Sequence, residues 1–435
     1  MFLMRVLCAG VGVCLALPAW TVVASEYQEI PLVISAAAAP KVDPALQAFI
    51  QQIWSENPAL QGVQAVVDAA QARAEGAGKP LHNPTLALDT QRTQMPSNTT
   101  TIGLSQTIDW SDKQGALSGV ANQEVQVATA ALLVSRQRIA VEALDALVRY
   151  FTAQEKEALA LRRSQLMQGF IDAVQQRQAA GDMGALEVTL AQVAYSEALL
   201  VQAASASERA EAEAALQAVS GLTLAHWPPL PRELAPPPQR ADPALLESLP
   251  ELAVLRSQME SAKARIKVAE REGRADPTIG IRAGREGTET LVGLSVEIPL
   301  LVRNSYQAAV RAAAHEAVAE ELAYRDAYRR ATAHLGGALG RFENTSRAWR
   351  AWVATGQEAQ REQGRLLEQM WQAGELAATD FLIQAKQNID TQAAATTLKG
   401  EVWRAAIGWL KASGQIEPWL GLSRSTTDMS SGEQP

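Results

Sequence analysis

From about Ser111 to Ala180 the chain carries no proline. Over part of that stretch Leu133, Gln137, Ala140, Leu144, Leu147 and Phe151 step by four and three in turn. Leu335, Leu339, Phe342, Ser346, Trp349 and Val353 step the same way in the second half. Such heptad spacing implies helices packed as left-handed coiled coils. At about 1.5 Å per residue, a helix of about 70 residues is roughly 100 Å long. A compact globule cannot contain such a rod, so the chain must build something elongated.

The rods belong to a pattern that occurs twice, about 190 residues apart. Asn83-Pro84-Thr85 returns as Asp276-Pro277-Thr278, and Gly103-Leu104-Ser105 as Gly293-Leu294-Ser295. Ala180-Gly181-Asp182-Met183 returns as Ala373-Gly374-Glu375-Leu376. Asn57-Pro58-Ala59-Leu60 is echoed by Leu249-Pro250-Glu251-Leu252. The Pro and Gly landmarks do not follow from Ala-rich composition, so a duplicated structural unit is predicted.

Each unit opens with a helix. Asp43-Pro44 is a capping residue followed by Pro in the first turn, and predicts a helix running to about Glu75. Two alternating segments follow in each unit. Leu86 and Leu88 share one face of the first, and Ile102, Leu104 and Ile108 one face of the second, across a turn at Met95-Pro96-Ser97-Asn98. In the other unit Ile279, Ile281 and Ala283 alternate with Gly280 and Arg282, and Val292, Leu294, Val296 and Ile298 with Gly293, Ser295 and Glu297. Segments of about nine or ten residues match membrane-spanning β-strands. Soluble hairpins would show the same alternation.

Gly181 and Gly374 suit the left-handed residue that closes a helix. Glu187 and Asp380 follow early in the next helices, where a carboxylate complements the helix dipole. Each rod thus reverses at a tight tip and returns to about Ser220 or Ala412. The lengths predict that the two shorter helices of each unit stack end to end beside the long one. Trp227-Pro228-Pro229-Leu230-Pro231 and Pro236-Pro237-Pro238 read as a stiff linker. The organisation is then an export signal over 1–24, an irregular segment over 25–43, a first unit over 44–220, a Pro-rich linker over 221–243, a second unit over 244–413 and a disordered tail over 414–435.

The export signal rests on Arg5, the apolar run Val6 to Leu17 and the small residues Val22-Val23-Ala24. Both cysteines, Cys8 and Cys14, fall within it, so the mature chain has no disulfide or Cys ligand. The net charge of -8 argues against nucleic acid. No later stretch is apolar enough for a transmembrane helix. An exported chain of this kind stays in the periplasm, is secreted, or spans a membrane as a β-barrel.

Four strands in lipid would leave two open edges, which is prohibitively costly. They also fall short of the eight strands of the smallest outer-membrane barrels. The strands must therefore join a barrel shared by identical copies. The fold class predicted is a membrane β-barrel continued by a long α-helical coiled-coil barrel, with four strands per protomer.

In these features the chain resembles the TolC family of outer-membrane efflux proteins. The resemblance is carried by Asn83-Pro84-Thr85-Leu86 and Asp276-Pro277-Thr278-Ile279, by Gly103-Leu104-Ser105-Gln106 and Gly293-Leu294-Ser295, by the tips Gly181 to Gln192 and Gly374 to Ala385, and by Pro250-Glu251-Leu252-Ala253. Ile298-Pro299-Leu300-Leu301-Val302-Arg303-Asn304 looks most like the heavy-metal, CzcC-type branch, although Val302 departs from the Phe usual there.

The resemblance implies a homotrimer with a twelve-stranded barrel in outer-membrane lipid and a helical tunnel in the periplasm. It also implies docking to a periplasmic adaptor and an inner-membrane pump of the resistance-nodulation-division (RND) type. Gly181, Met183, Gly374 and Leu376 are then candidate adaptor contacts. Asp380, and Glu187 at the equivalent place, are candidate gate residues. Ile383 stands where some relatives carry a second Asp. Leu86, Leu88, Ile102, Leu104, Ile279, Ile281, Val292 and Leu294 are the candidate lipid-facing residues.

No catalytic constellation is present, and no cofactor is implied. His82, His226, His315 and His334 lack partners at ligand spacing. Gly280, Gly284 and Gly287 do not fit a dinucleotide loop, and no P-loop occurs. The reading is a passive exit duct for heavy-metal cations. Ducts for drugs or secreted polypeptides, and a periplasmic coiled-coil scaffold, are the alternatives.

Overall fold

A computed structural model describes residues 32–34, 43–92 and 98–422. The export signal, both cysteines and the residues Met95-Pro96-Ser97 lie outside them.

The first helix starts as the sequence suggests. Asp43 accepts the Ala45 N–H at 2.8 Å, and Pro44 opens α1 (Pro44–Glu56). The helix does not continue to Glu75. Asn57 is extended (φ -73°, ψ 116°), and Pro58 begins a second helix, α2 (Pro58–Ala77). A residue before proline is pushed out of the helical region, and proline itself supplies no N–H. The Asn57 side chain completes the break by accepting from the Ala59 N–H at 2.9 Å.

The first rod is a single helix, α3 (Lys113–Ala179, 67 residues). Asp112, in the left-handed region (φ 56°), turns the chain into it. Both carboxylate oxygens of Asp109 accept from the Lys113 and Gln114 N–H groups at 2.7 Å, satisfying the first free donors of the helix. At the far end the Gly181 N–H donates to Gln178 O and the Asp182 N–H to Arg177 O, each at 2.9 Å. This is a Schellman closure, and Gly181 (φ 86°) supplies its left-handed residue. The chain returns as α4 (Ala185–Ser220).

After a 3-10 turn (Pro243–Ser248), the second half repeats this order. Helix α5 (Pro250–Glu272) precedes a hairpin, and Tyr306 (φ 58°) turns the chain into α6 (Gln307–Ala351). Gly374 (φ 75°) closes the second rod with the same pair of hydrogen bonds, and α8 (Ala378–Ala412) returns. The second rod differs at one place. A π-turn (Trp352–Gly356) separates α6 from α7 (Gln357–Gln372). The Trp352 ring lies over Gly356, where a Cβ would fall 2.4 Å from it. Leu335, Leu339, Phe342, Ser346 and Trp349 are buried along the heptad seam. Val353 is 42% exposed, because the wider turn rotates it off the seam.

The strands form one antiparallel sheet, ordered β2 (Thr85–Arg92), β3 (Asn98–Thr107), β5 (Thr278–Glu286), β6 (Glu289–Glu297). Below it, α2 and α5 flank the near end of α3, with α6 beyond α5. Further down, α4 and α8 flank α3, with α7 beyond α8. The shorter helices do share the rods end to end. In the second half, Gly414, just past the end of α8, approaches Ser248 and Leu249, where α5 begins. In the first half α1 packs against α2 and α3, and the Trp54 indole donates to Arg136 O at 3.2 Å.

Three segments depart from the sequence reading. The irregular N-terminal segment contains β1 (Val33–Ile34), which pairs in parallel with β4 (Glu233–Leu234) of the Pro-rich linker. The Trp349 indole donates to Leu32 O at 2.9 Å. The linker is packed rather than free: Leu222, Trp227 and Leu234 are buried, and Trp227 meets Phe49 edge-on at 6.0 Å. The first part of the tail expected to be disordered from 414 instead forms α9 (Ile416–Trp419), and residues 423–435 lie outside the described residues. Ile416 and Leu420 are each 1% exposed and hold α9 on the main core. These residues form a belt around the middle of the rods. Among the described residues no helix is long and apolar enough to cross a membrane.

Candidate functional site

The strand registers sort every residue of the sheet onto one of two faces. Leu86, Leu104, Ile281 and Leu294 stand in one row across the four strands. Leu88, Ile102, Ala283 and Val292 form the next, and Gln106, Ile279 and Val296 the one below. All eight candidate lipid-facing residues thus lie on one face, between 45% and 82% exposed. Burying that much apolar surface requires an apolar solvent or partner. The opposite face carries small and polar residues, with Thr85, Ser105, Gly280 and Ser295 in one row and Ala87, Gly103, Arg282 and Gly293 in the next.

The base of the sheet joins the two halves. Asp276, from the landmark where the first half has Asn83, is buried and pairs with Lys113 Nζ at 2.7 Å. It also accepts from Ser111 Oγ at 3.2 Å. Thr107 and Thr278 hydroxyls meet at 2.8 Å. The strands of the second hairpin are thereby keyed to the first rod.

At the other end of the molecule, Phe170, Trp371 and Phe381 stack around one another, with centroids 5.0–5.4 Å apart. The Arg177 guanidinium covers the Trp371 ring at 4.6 Å. Higher up, buried Arg163 pairs with Glu197 at 3.1 Å and Asp390 at 3.3 Å, while Lys386 reaches Glu197 at 2.7 Å. The hydrogen bond from Lys386, aided by the Arg163 charge, holds the Glu197 carboxyl below its ordinary pKa despite some burial. These two clusters tie the helical hairpins into one tip. Neither has a sequence signal, since their members are far apart in the chain.

The tip residues divide by environment. Gly181 and Gly374 are exposed, whereas Met183 and Leu376 are half-buried against the aromatic cluster. Asp380 is exposed in the first turn of α8. Glu187 is different, because its carboxylate folds back to within 2.9 Å of where a Cβ on Gly184, the N-cap of α4, would stand. That is the placement of a dipole-compensating residue. Ile383 is exposed on the same side of α8 as Asp380. The four histidines do not come together. Among the described residues no group of three or more His, Cys, Asp or Glu side chains could hold a metal ion.

No family model matches the chain. It is 24% identical over 306 residues to the cobalt-zinc-cadmium resistance protein CzcC of Cupriavidus metallidurans, a match spanning 68% of this chain and 72% of that one. Its fold superposes on the outer-membrane channel OprN with a TM-score of 0.73, at 15% identity, over 89% of this chain and 94% of that one. For the channel protein CusC the TM-score is 0.71, at 14% identity, over 89% and 95%. The Campylobacter jejuni CmeC outer membrane channel gives 0.72 at 12%, over 86% of each. The fold is that of the TolC-family outer-membrane channels. The match to a cobalt-zinc-cadmium resistance protein agrees with the CzcC-type resemblance of the sequence. Within this TolC-family fold the two-faced sheet is the β-domain, and the rods with their tips form the helical part.

Proposed function

We propose that this chain is the outer-membrane exit duct of a tripartite efflux system, closed by three copies and conducting heavy-metal cations passively to the exterior. The observation that carries this reading is that every layer of the molecule leaves the same two flanks bare. Strands β2 and β6 pair on one side only. Beneath them α2 and α6 are the outer helices, and further down α4 and α7 are. These outer helices carry exposed apolar residues, Leu186, Val193 and Leu200 on α4, Leu366 and Met370 on α7, and Val318 and Leu322 on α6. A head-to-tail contact between the β2 and β6 sides covers all three layers at once and closes into a ring. Three copies give twelve strands, enough for a lumen.

The apolar face then meets the lipid of the Gram-negative outer membrane, and the helical part descends into the periplasm. The closed turns at Gly181 and Gly374, with Met183 and Leu376 beside them, form the surface for a periplasmic adaptor and an RND-type pump. Asp380 of each copy narrows the entrance, with Glu187 at the equivalent place in the first unit. Heavy-metal cargo is favoured by the match to a cobalt-zinc-cadmium resistance protein.

A deletion strain tests the cargo. It should become sensitive to zinc, cobalt or cadmium and recover with the wild-type gene. Sensitivity to drugs alone would sink the metal reading. Complementation with Asp380→Ala should give altered metal resistance, and resistance equal to wild type would reject the gate role.

A further inference from the structure

The polar face of the sheet contains one arginine in an unusual setting. Arg282 is the middle residue of β5, with Gly280 and Gly284 on either side of it along the same face of its own strand. Gly103 and Gly293 are its partners across the neighbouring strands. It is therefore framed by glycine in all four directions. At 280 and 284 the close approach of other strands accounts for glycine: a Cβ would fall 2.6 Å from Ser295 Oγ and 2.3 Å from Thr100 O. No such crowding exists at the other two. A Cβ on Gly293 would meet the Arg282 side chain itself, with Nε at 3.1 Å and Cγ at 3.4 Å. A Cβ on Gly103 would make only ordinary contacts, one of them with Arg282 Cβ at 3.7 Å. These glycines leave the floor clear for a long side chain.

The charge on that side chain is not neutralised, since among the described residues Arg282 has no ion pair. The carboxylates on the same face stand in other rows. Asp89 is one row above on β2, Glu286 and Glu289 lie at the outer end, and Glu297 lies at the base. Arginine is the sole cation of this face between them.

We propose that Arg282 forms a ring of positive charge halfway along the barrel and offsets the cation selectivity of the acidic rows around it, so that small inorganic anions accompany the metal cargo through the duct. The inference rests on the trimeric-duct reading, which makes the polar face the wall of the lumen. A twelve-stranded barrel has a backbone radius of about 12 Å. The Debye length is about 10 Å at 0.1 M salt and about 30 Å at 0.01 M. Three guanidinium groups on the wall therefore act across most of the lumen at ordinary ionic strength, and across all of it in dilute salt. Rings of charged side chains select ions in this way. Acidic mouths above and below attract cations, while the central ring favours passage with a counter-ion over passage as a bare divalent charge.

The test uses the full-length protein in planar lipid bilayers under a KCl gradient, with the potassium-to-chloride permeability ratio read from the reversal potential. Arg282→Gln should raise the ratio severalfold, Arg282→Glu should raise it further, and Arg282→Lys should stay with wild type. The differences should shrink as the bathing salt rises from about 0.01 M to about 1 M, where the Debye length falls to about 3 Å. A ratio in Arg282→Gln and Arg282→Glu equal to wild type in dilute salt overturns the ring while leaving the duct intact. No current from either the wild type or an Asp380→Ala protein overturns the duct and the ring together.

Discussion

Single residues decide which solvent each face of the sheet meets. Leu294 is 80% exposed and stands in the same row as Leu86, Leu104 and Ile281, so a charge there is presented where lipid is expected. Leu294→Arg should cost about 2–4 kcal/mol near the middle of the bilayer. Heat-resistant oligomers recovered from outer-membrane fractions should fall accordingly, and undiminished recovery would contradict the lipid-facing assignment. Some residues were readable in the sequence because their physics is narrow. Gly181 and Gly374 sit at positive φ, which side chains rarely tolerate, so their spacing marks the tips. Asp112 and Tyr306 occupy the same left-handed region in front of the rods, yet neither residue type announces it. Arg282 was visible only as the polar member of an alternating run, and its frame of glycines required the strand register.

Elements follow the sequence where a local rule governs them and depart where distant partners do. The ends of α4 and α8, at Ser220 and Ala412, were legible from the pattern. The break at Asn57 was also written in the Asn-Pro pair, but the heptad-like continuation on both sides masked it. The π-turn at Trp352–Gly356 has no local cue apart from glycine, and it depends on the Trp352 ring covering Gly356. The clamp of Arg163, Glu197, Lys386 and Asp390 lies on three helices brought together only by the fold. Its pH dependence follows from the lowered pKa of Glu197. A depressed carboxylate stabilises the folded state above its unfolded pKa, and loses that contribution as pH falls through the folded one. Amide protection around Glu197 and Lys386, taken relative to the intrinsic exchange rate at each pH, should therefore fall as pH drops below the ordinary glutamate range, about 4.3. Glu197→Gln should remove that pH step and exchange faster at neutral pH. An unchanged pH profile in the variant would show that the clamp does not hold the tip.

The whole molecule is shaped by what one copy lacks. Four strands cannot close, and the outer helices α4, α6 and α7 carry exposed apolar residues. Strand count and rod length were legible because both follow from period and punctuation. The belt was not. Its Pro-rich segment has the composition of a free linker, and its C-terminal stretch the look of a tail. Only the surfaces offered by Phe49, Tyr150 and the main core make Trp227, Ile416 and Leu420 buried residues. The central claim is that three copies close one channel. The mass of the protein–detergent particle, corrected for bound detergent, measures this directly. Three chains per particle are expected, and a particle of one chain, or of two, would contradict closure by three copies.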